Sequence, residues 1–270
     1  MILPLIYIVS ISLSKDMDII NFGYKLVPVN LDFTSYKYIF SVPVSIINSY
    51  MVTISVTVLG TILGVFLCSS LGYVMARKDY RYKKATTFIV FFTLLFNGGL
   101  VPWYMLISKY LHLSNTILAL ILPYAVVTWF VILMKGFLSG ISADIVESAK
   151  IDGANELFIY FKIILPMSKP AIATISLFYA FQYWNDWWLA MLFIDNKNLF
   201  PIQFMLQRIM SNIEFLQSQL VSGLQIDLSS LPTESTRMAM CVLAAGPMLI
   251  VFPFFQKYFV KGINMGAIKG

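Results

Sequence analysis

Five charged side chains, Glu147, Lys150, Asp152, Glu156 and Lys162, crowd into the window VESAKIDGANELFIYFKIILP (146–166) of an otherwise apolar chain. A second group, FQYWNDWW (181–188), sets Gln182, Asn185 and Asp186 among Tyr183, Trp184, Trp187 and Trp188. Neither is a pattern for making or breaking bonds. Nucleophilic catalysis needs a base beside the nucleophile, and a metal site needs several convergent ligands. The one histidine, His112, stands in a short polar connection, and Cys68 and Cys241 fall in separate apolar runs without CxxC spacing. There is no G-x-x-x-x-G-K-[ST], so the chain does not hold ATP through a P-loop, and there is no nucleophile elbow or zinc-binding helix. The two groups offer recognition instead. Charges on a short segment suit docking, and flat rings beside amides and a carboxylate suit stacking on sugars and bonding their hydroxyls.

Membrane helices must position both groups. The chain is 59% hydrophobic and 12% charged, with a mean hydropathy of +0.80. Soluble domains carry about 25% charged residues. A bilayer-crossing helix needs roughly 20 mostly apolar residues, and five runs qualify, at about 46–76, 85–107, 114–137, 170–194 and 238–260. The stretch 1–14 is apolar but short and lacks the marks of a signal peptide. It reads as the second half of a first span whose start lies outside this sequence, with an interfacial segment as the alternative. The expected fold is all-α: one polytopic domain over 1–270, with six transmembrane helices in its complete form.

The net charge of +6 reads as a topology signal rather than a nucleic-acid footprint. Arg77, Lys78, Arg81, Lys83 and Lys84 follow the second span, Lys135, Lys150, Lys162 and Lys169 the fourth, and Lys257, Lys261 and Lys269 end the chain. The positive-inside rule makes these segments and both termini cytoplasmic. Segments 15–45 and 195–236 are then external. In the latter, Met205, Ile209, Asn212/Ile213, Leu216 and Leu220 recur at helical spacing, with Gly223 as a stop. That helix either lies on the outer leaflet or docks an external partner.

The polar window should be a helix over about 143–160. Ser142 is an N-cap type, Asp144 and Glu147 suit the first turns, and Pro166 should end the segment. Val146, Ala149/Lys150, Gly153, Leu157 and Phe161 form one apolar stripe; Ile151 and Phe158 start another. Two apolar sides ask for two neighbours, although an amphipathic connector on the inner leaflet would show the same pattern. Gly153 invites a bend or a close backbone approach.

Glu147-Ser148-Ala149, Gly153 four residues on, and Ile163-Ile164-Leu165-Pro166 after nine more resemble the EAA signature of ABC importer permeases, with Ser148 for its first alanine. Asp152-Gly153-Ala154 resembles the usual D-G-A core. The tail FVKGINMGAIKG (259–270) is similar to the ending of maltose-type sugar permeases. FNGGLVPWYMLI, YWNDWW and PFFQKYFVKG bring the chain closer to the LplC/YtcP-like branch, which serves oligosaccharide and polysaccharide-fragment uptake.

That resemblance implies a type I ABC importer permease fold and no hydrolysis by this chain. It implies a second, different permease subunit and two ATPase subunits that bind the ATP and magnesium, so no cofactor is expected here. It implies an extracytoplasmic sugar-binding protein, expected to be lipid-anchored, that delivers an oligosaccharide. The setting is the bacterial cytoplasmic membrane. The coupling residues carried over are Glu147, Ser148, Ala149, Asp152, Gly153, Ala154, Leu157, Phe161, Ile163, Leu165 and Pro166. Gly266, Lys269 and Gly270 would reach toward the ATPases.

For the pathway or gate, the candidates are Gln182, Tyr183, Trp184, Asn185, Asp186, Trp187, Trp188 and Asn97. Asp186 lies 16 residues beyond Pro170, about 24 Å along a helix, in the outer half of the membrane. An interfacial aromatic belt explains the same cluster. Asn97-Gly98-Gly99 interrupts the third span and either lines a cavity or serves packing. Ser49, Thr53, Thr57 and Thr61, beside Gly60 and Gly64, form a small-residue stripe that suits close helix approach, with pathway lining second. A stand-alone secondary carrier is the rival function. It needs an intramembrane coupling carboxylate, for which Asp186 is the one good candidate.

Overall fold

The computed structural model describes residues 2–41, 43–221 and 234–267, with side chains over 3–41, 45–215 and 234–253. Helices dominate: α1 (Ile2–Ser12), α2 (Asp16–Phe22), α3 (Thr34–Ile39), α4 (Pro43–Ala76), α5 (Lys83–Leu95), α6 (Leu100–Tyr110), α7 (Ile117–Tyr124), α8 (Thr128–Leu138), α9 (Ala143–Ile151), α10 (Glu156–Met167), α11 (Lys169–Trp184), α12 (Trp188–Phe193), α13 (Ile202–Val221) and α14 (Glu234–Ala267). Among the described residues the one β-type pairing is a single bridge between Ser14 and Leu31.

α4 over Ser45–Ala76 and α14 over Glu234–Pro253 are long and apolar enough to cross a bilayer. Three bent pairs pass the same test when each is taken together: α5 with α6 (113°), α7 with α8 (51°) and α10 with α11 (82°). Three of the expected spans are therefore bent or broken, one of them at the interruption visible in the sequence. Asn97-Gly98-Gly99 breaks the run 85–107: Gly99 has φ +89°, and the Asn97 carboxamide oxygen accepts its N–H at 2.9 Å. Pro123 breaks 114–137, because it has no N–H and its ring crowds the preceding turn. The run 170–194 ends at Trp184 and restarts at Trp188.

Two compact units divide the chain. The first comprises Met1–Thr53 and Asn185–Ile250. Its core joins Ile39, Ile46, Ile202, Leu206, Ile213, Ala239 and Met240, with Met205 and Ile209 packed against them. The part of the α13 stripe formed by Met205, Ile209 and Ile213 is thus spent inside its own unit, against α3, α4 and α14. This corrects the expectation of a helix resting its apolar face on the outer leaflet. The Thr53 hydroxyl accepts the Ile202 N–H at 2.8 Å, and the Ser35 and Ser235 hydroxyls pair at 2.6 Å. The expected stop at Gly223 lies outside the described residues.

The second unit comprises Ile54–Trp184 and Val251–Gly270. Here α4 packs along α11 through Tyr179 and Tyr183, and along α10 through Tyr160. This unit contains the whole polar window and the start of the aromatic cluster.

Candidate functional site

The polar window folds as two helices, not one. Ser142 begins α9, its hydroxyl bonding the Asp144 carboxylate at 3.0 Å and accepting the Asp144 N–H at 3.4 Å. α9 stops at Ile151. The Gly153 N–H then donates to the Lys150 carbonyl at 3.0 Å and the Ala154 N–H to the Ala149 carbonyl at 2.9 Å. Those two bonds, with φ +82° at Gly153, make a left-handed helix stop that favours glycine. Asn155 opens α10 by accepting the Phe158 N–H at 2.7 Å. The D-G-A core is therefore a helix-ending turn, and a single helix over 143–160 is excluded by the geometry at Gly153.

The turn expected at Pro166 before the next span is present, just beyond the proline: Pro166 follows the wide-turned stretch Ile159–Ile164 and enters a last helical turn, where an N–H is not required, and the chain bends by 82° before α11. The chain turns two residues later, at Ser168.

The bend sorts the window into two faces. Ala149, Ile159, Tyr160 and Ile164 are buried, Val146, Ala154, Ile163 and Leu165 are half-buried, and Glu147, Ser148 and Asp152 are exposed. Ile151 is 87% exposed and Leu157 69%, with Phe158 and Phe161 also open. Four large apolar groups thus project from a segment whose other face is already packed. Among the described residues, Glu147 makes no hydrogen bond or ion pair. It borders a cavity of about 430 Å³ whose walls include Tyr73, Arg77, Leu138, Ser142 and Ile164.

A charge cluster that sequence reasoning missed fastens this segment to α4. The Arg77 guanidinium donates to Glu156 at 2.7 and 3.2 Å, to Asp79 through Nε at 2.6 Å, and to the Tyr73 hydroxyl at 2.7 Å. A second guanidinium nitrogen also pairs with Asp79. Lys150 closes the ring, 2.8 Å from Asp79 and 3.1 Å from Glu156. The Arg77 guanidinium, and after it the Lys150 ammonium, hold the Asp79 carboxyl well below the usual carboxylate range. Arg77 had counted only as a topology charge, and Lys150 as that and as one charge of the polar window. Their one sequence signal was opposite charge at Asp79 and Glu156, far apart in the chain. Next to the cluster, the Tyr160 hydroxyl bonds Ser69 at 2.7 Å and Ser70 at 3.1 Å, and Phe161 stacks on Phe66.

The aromatic group divides. Tyr183 and Trp184 end α11 and are buried, 2% and 5% exposed. The Tyr183 hydroxyl donates to the Ile121 carbonyl at 2.8 Å. Tyr179, one turn earlier, donates to the Ala125 carbonyl at 3.2 Å and accepts the Val127 N–H at 3.2 Å. Both tyrosines serve the main chain freed by the break at Pro123, so Tyr183 is a brace rather than a pathway surface. Gly60 and Gly64 seat their rings. The stripe thus serves helix packing, as expected, with tyrosine rings of α11 seated on the glycines of α4.

In the other unit, Asn185, Trp187 and Trp188 are exposed and Gln203 reaches Asn185 at 3.4 Å. The half-buried Asp186 accepts the Leu189 N–H at 3.2 Å and so opens α12. With α11 ending at Trp184, Asp186 is not carried along a continuous helix as expected. Gln182 is half-buried. Gly266 falls in the last turn of α14, while Lys269 and Gly270 lie outside the described residues.

Comparison with known proteins places this geometry. Residues 69–265 match the family described as binding-protein-dependent transport system inner membrane component. The chain is 39% identical, over all of its length and 93% of the relative's, to the polygalacturonan/rhamnogalacturonan transport system permease protein YtcP of Bacillus subtilis (strain 168). It is 34% identical to protein LplC of the same organism, over all of this chain and 90% of that protein. Among solved structures, a chain of a bacterial ABC transporter involved in the import of the acidic polysaccharide alginate matches with a TM-score of 0.81 and 30% identity. That match covers 96% of this chain and 90% of the other.

Proposed function

This chain belongs to the binding-protein-dependent transport system inner membrane component family, and on that premise we propose that it forms, with a second permease subunit, the membrane pathway of an ATP-driven importer for an oligosaccharide. The chain is a transport permease and not an enzyme; the family's ATPase is a separate subunit. Two ATPase subunits bind and hydrolyse ATP with magnesium, and an extracytoplasmic, lipid-anchored sugar-binding protein delivers the substrate. α4, α14 and the bent pairs supply the membrane passages of the bacterial cytoplasmic membrane, with both termini cytoplasmic.

One observation carries the coupling role. The α9–α10 bend exposes Ile151, Leu157, Phe158 and Phe161 beside an uncommitted Glu147, while its other face is fixed to α4. That is the shape of a knob with an apolar tip and exposed charge beside it, suited to a cleft on an ATPase surface. Closure of the ATPases then moves the segment and, with it, the helices that set access, as a rigid-body change. The sugar class rests on the likeness to YtcP, a polygalacturonan/rhamnogalacturonan transport system permease protein, and to the alginate importer. Asn185, Trp187 and Trp188 are the exposed aromatic and amide groups offered to the pathway, with the half-buried Asp186 beside them. A stand-alone carrier loses support because Asp186, its one coupling candidate, is engaged with the start of α12.

Co-purification with an ATPase, and uptake by Glu147→Ala and Gly153→Val complexes, test the reading. The expected result is intact assembly with uptake abolished. Wild-type uptake from either variant overturns the coupling assignment.

A further inference from the structure

The cluster around Arg77 joins parts of the chain that the coupling reading leaves separate. Arg77 follows the last residue of α4, Asp79 lies in the next loop, Lys150 is in the last turn of α9, and Glu156 is the first residue of α10. Lys150 and Glu156 therefore stand on opposite sides of the Gly153 bend, and one ring of contacts holds both limbs. Only the hub is sheltered. The Arg77 side chain is 13% exposed, against 54% for Asp79 and 57% for Glu156. The Tyr73 ring lies 5.5 Å from its guanidinium carbon, and the Tyr73 hydroxyl takes one of its N–H groups.

We propose that Arg77 is a positioning residue for transport: it locks both limbs of the coupling segment to the cytoplasmic end of α4, so that a displacement of α9 is delivered to α4 and not absorbed at the Gly153 bend. This rests on the coupling reading above. The physical need is plain. Asp152–Asn155 is a non-helical link, and a link that ends one helix and starts another is compliant unless its flanks are fixed. α10 is fixed to α4 by Tyr160 on Ser69 and Ser70. α9 buries Ala149, but among the described residues its side-chain polar ties beyond its own N-cap run through Lys150 in the ring. A lysine supplies one flexible point charge, whereas the planar fork of Arg77 engages both carboxylates and fixes where Lys150 finds them. A topology role alone does not require this geometry, since Lys78, Arg81, Lys83 and Lys84 already mark the loop as cytoplasmic.

The test uses the whole importer, reconstituted with its ATPases and binding protein. Nitroxides replace Asp144 in α9 and Ile62 in α4, and their separation is measured without nucleotide and with ATP and vanadate. A size-fractionated polygalacturonan digest serves as the transport probe, read as sugar carried per ATP hydrolysed. In the wild type the two labels keep one distance in both states. In Arg77→Gln the complex assembles and hydrolyses ATP, the distance distribution widens, and sugar per ATP falls roughly tenfold, within the usual range of a coupling between two sites. Arg77→Lys recovers part of both. Lys78→Gln, the same charge loss one residue on, changes neither.

An unchanged distribution in Arg77→Gln overturns the proposal, as does an equal loss in Lys78→Gln. Should Arg77→Gln fail to assemble, Glu156→Gln decides: a widened distribution supports the lock and an unchanged one overturns it. The labels decide alone if the digest is not carried. Failure of the underlying reading is a different result: the wild-type chain would not co-purify with an ATPase, or would carry sugar without ATP.

Discussion

The Tyr183 hydroxyl donates to the Ile121 carbonyl at 2.8 Å, and this bond holds the Tyr183 ring directly over Gly60. A Cβ added at Gly60 would stand 2.5 Å from the ring's Cζ. The ring cannot swing away without leaving a buried carbonyl unpaired. Gly60→Ala should therefore destabilise the purified complex by about 1–3 kcal/mol, the usual cost of overpacking. Gly60→Ala combined with Tyr183→Leu should recover part of that loss in a thermal unfolding assay. Additive losses in the double variant would show that the ring is not what Gly60 accommodates.

Trp184 and Trp187 should part company, although they sit three residues apart in one motif. Trp184 is 5% exposed and Trp187 38%. Trp184→Ala empties a buried site, at about 3–5 kcal/mol. Trp187→Ala should leave the unfolding temperature unchanged and alter uptake or sugar-stimulated ATP hydrolysis. Unchanged uptake in a stable Trp187→Ala complex would favour an interfacial belt.

The elements were legible where apolar length alone decides them, as in α4 and α14. They were not legible where a break depends on partners distant in sequence. Pro123 announces a break only if something satisfies Ile121 and Ala125, and the tyrosines that do so come more than 50 residues later. The Gly60–Gly64 spacing was visible, but its meaning depended on which side chain faces it. Likewise Gly153 signalled a bend, while the periodicity of Val146, Ala149, Leu157 and Phe161 ran straight through it. A periodic pattern records which residues are apolar, not whether the helix carrying them is continuous. α13 was read correctly as amphipathic, yet only its neighbours Ile39, Ile46 and Ala239 identify the surface it covers.

The ring at Arg77 fixes a pH dependence with a definite sign. Arg77, then Lys150, hold the Asp79 carboxyl below its ordinary value of 3.8. A carboxyl depressed in the folded chain contributes stability that is complete above its unfolded value and is lost as pH falls through the folded one. Asp79→Asn should thus lower the unfolding midpoint equally at pH 8 and pH 5, with the gap to wild type closing only below about pH 4. Because Asp79 is half open to solvent, the effect is small and weakens with salt. A gap that grows between pH 8 and pH 5 would assign it to some other group.

Gly153 separates a conformational requirement from a steric one. Among the described residues nothing lies within 4 Å of a Cβ built there, so substitution meets no clash with them. What remains is φ +82°, which costs an ordinary side chain about 1–2 kcal/mol. Asparagine tolerates the left-handed region better than alanine does, although it is larger. If the turn itself is what coupling needs, uptake should rank Gly153, then Gly153→Asn, then Gly153→Ala, then the β-branched Gly153→Val. If an ATPase packs against the glycine, size governs instead, and Gly153→Ala should outperform Gly153→Asn. Uptake per assembled complex, measured over these four chains, therefore reads whether Gly153 shapes the bend or makes room for the partner.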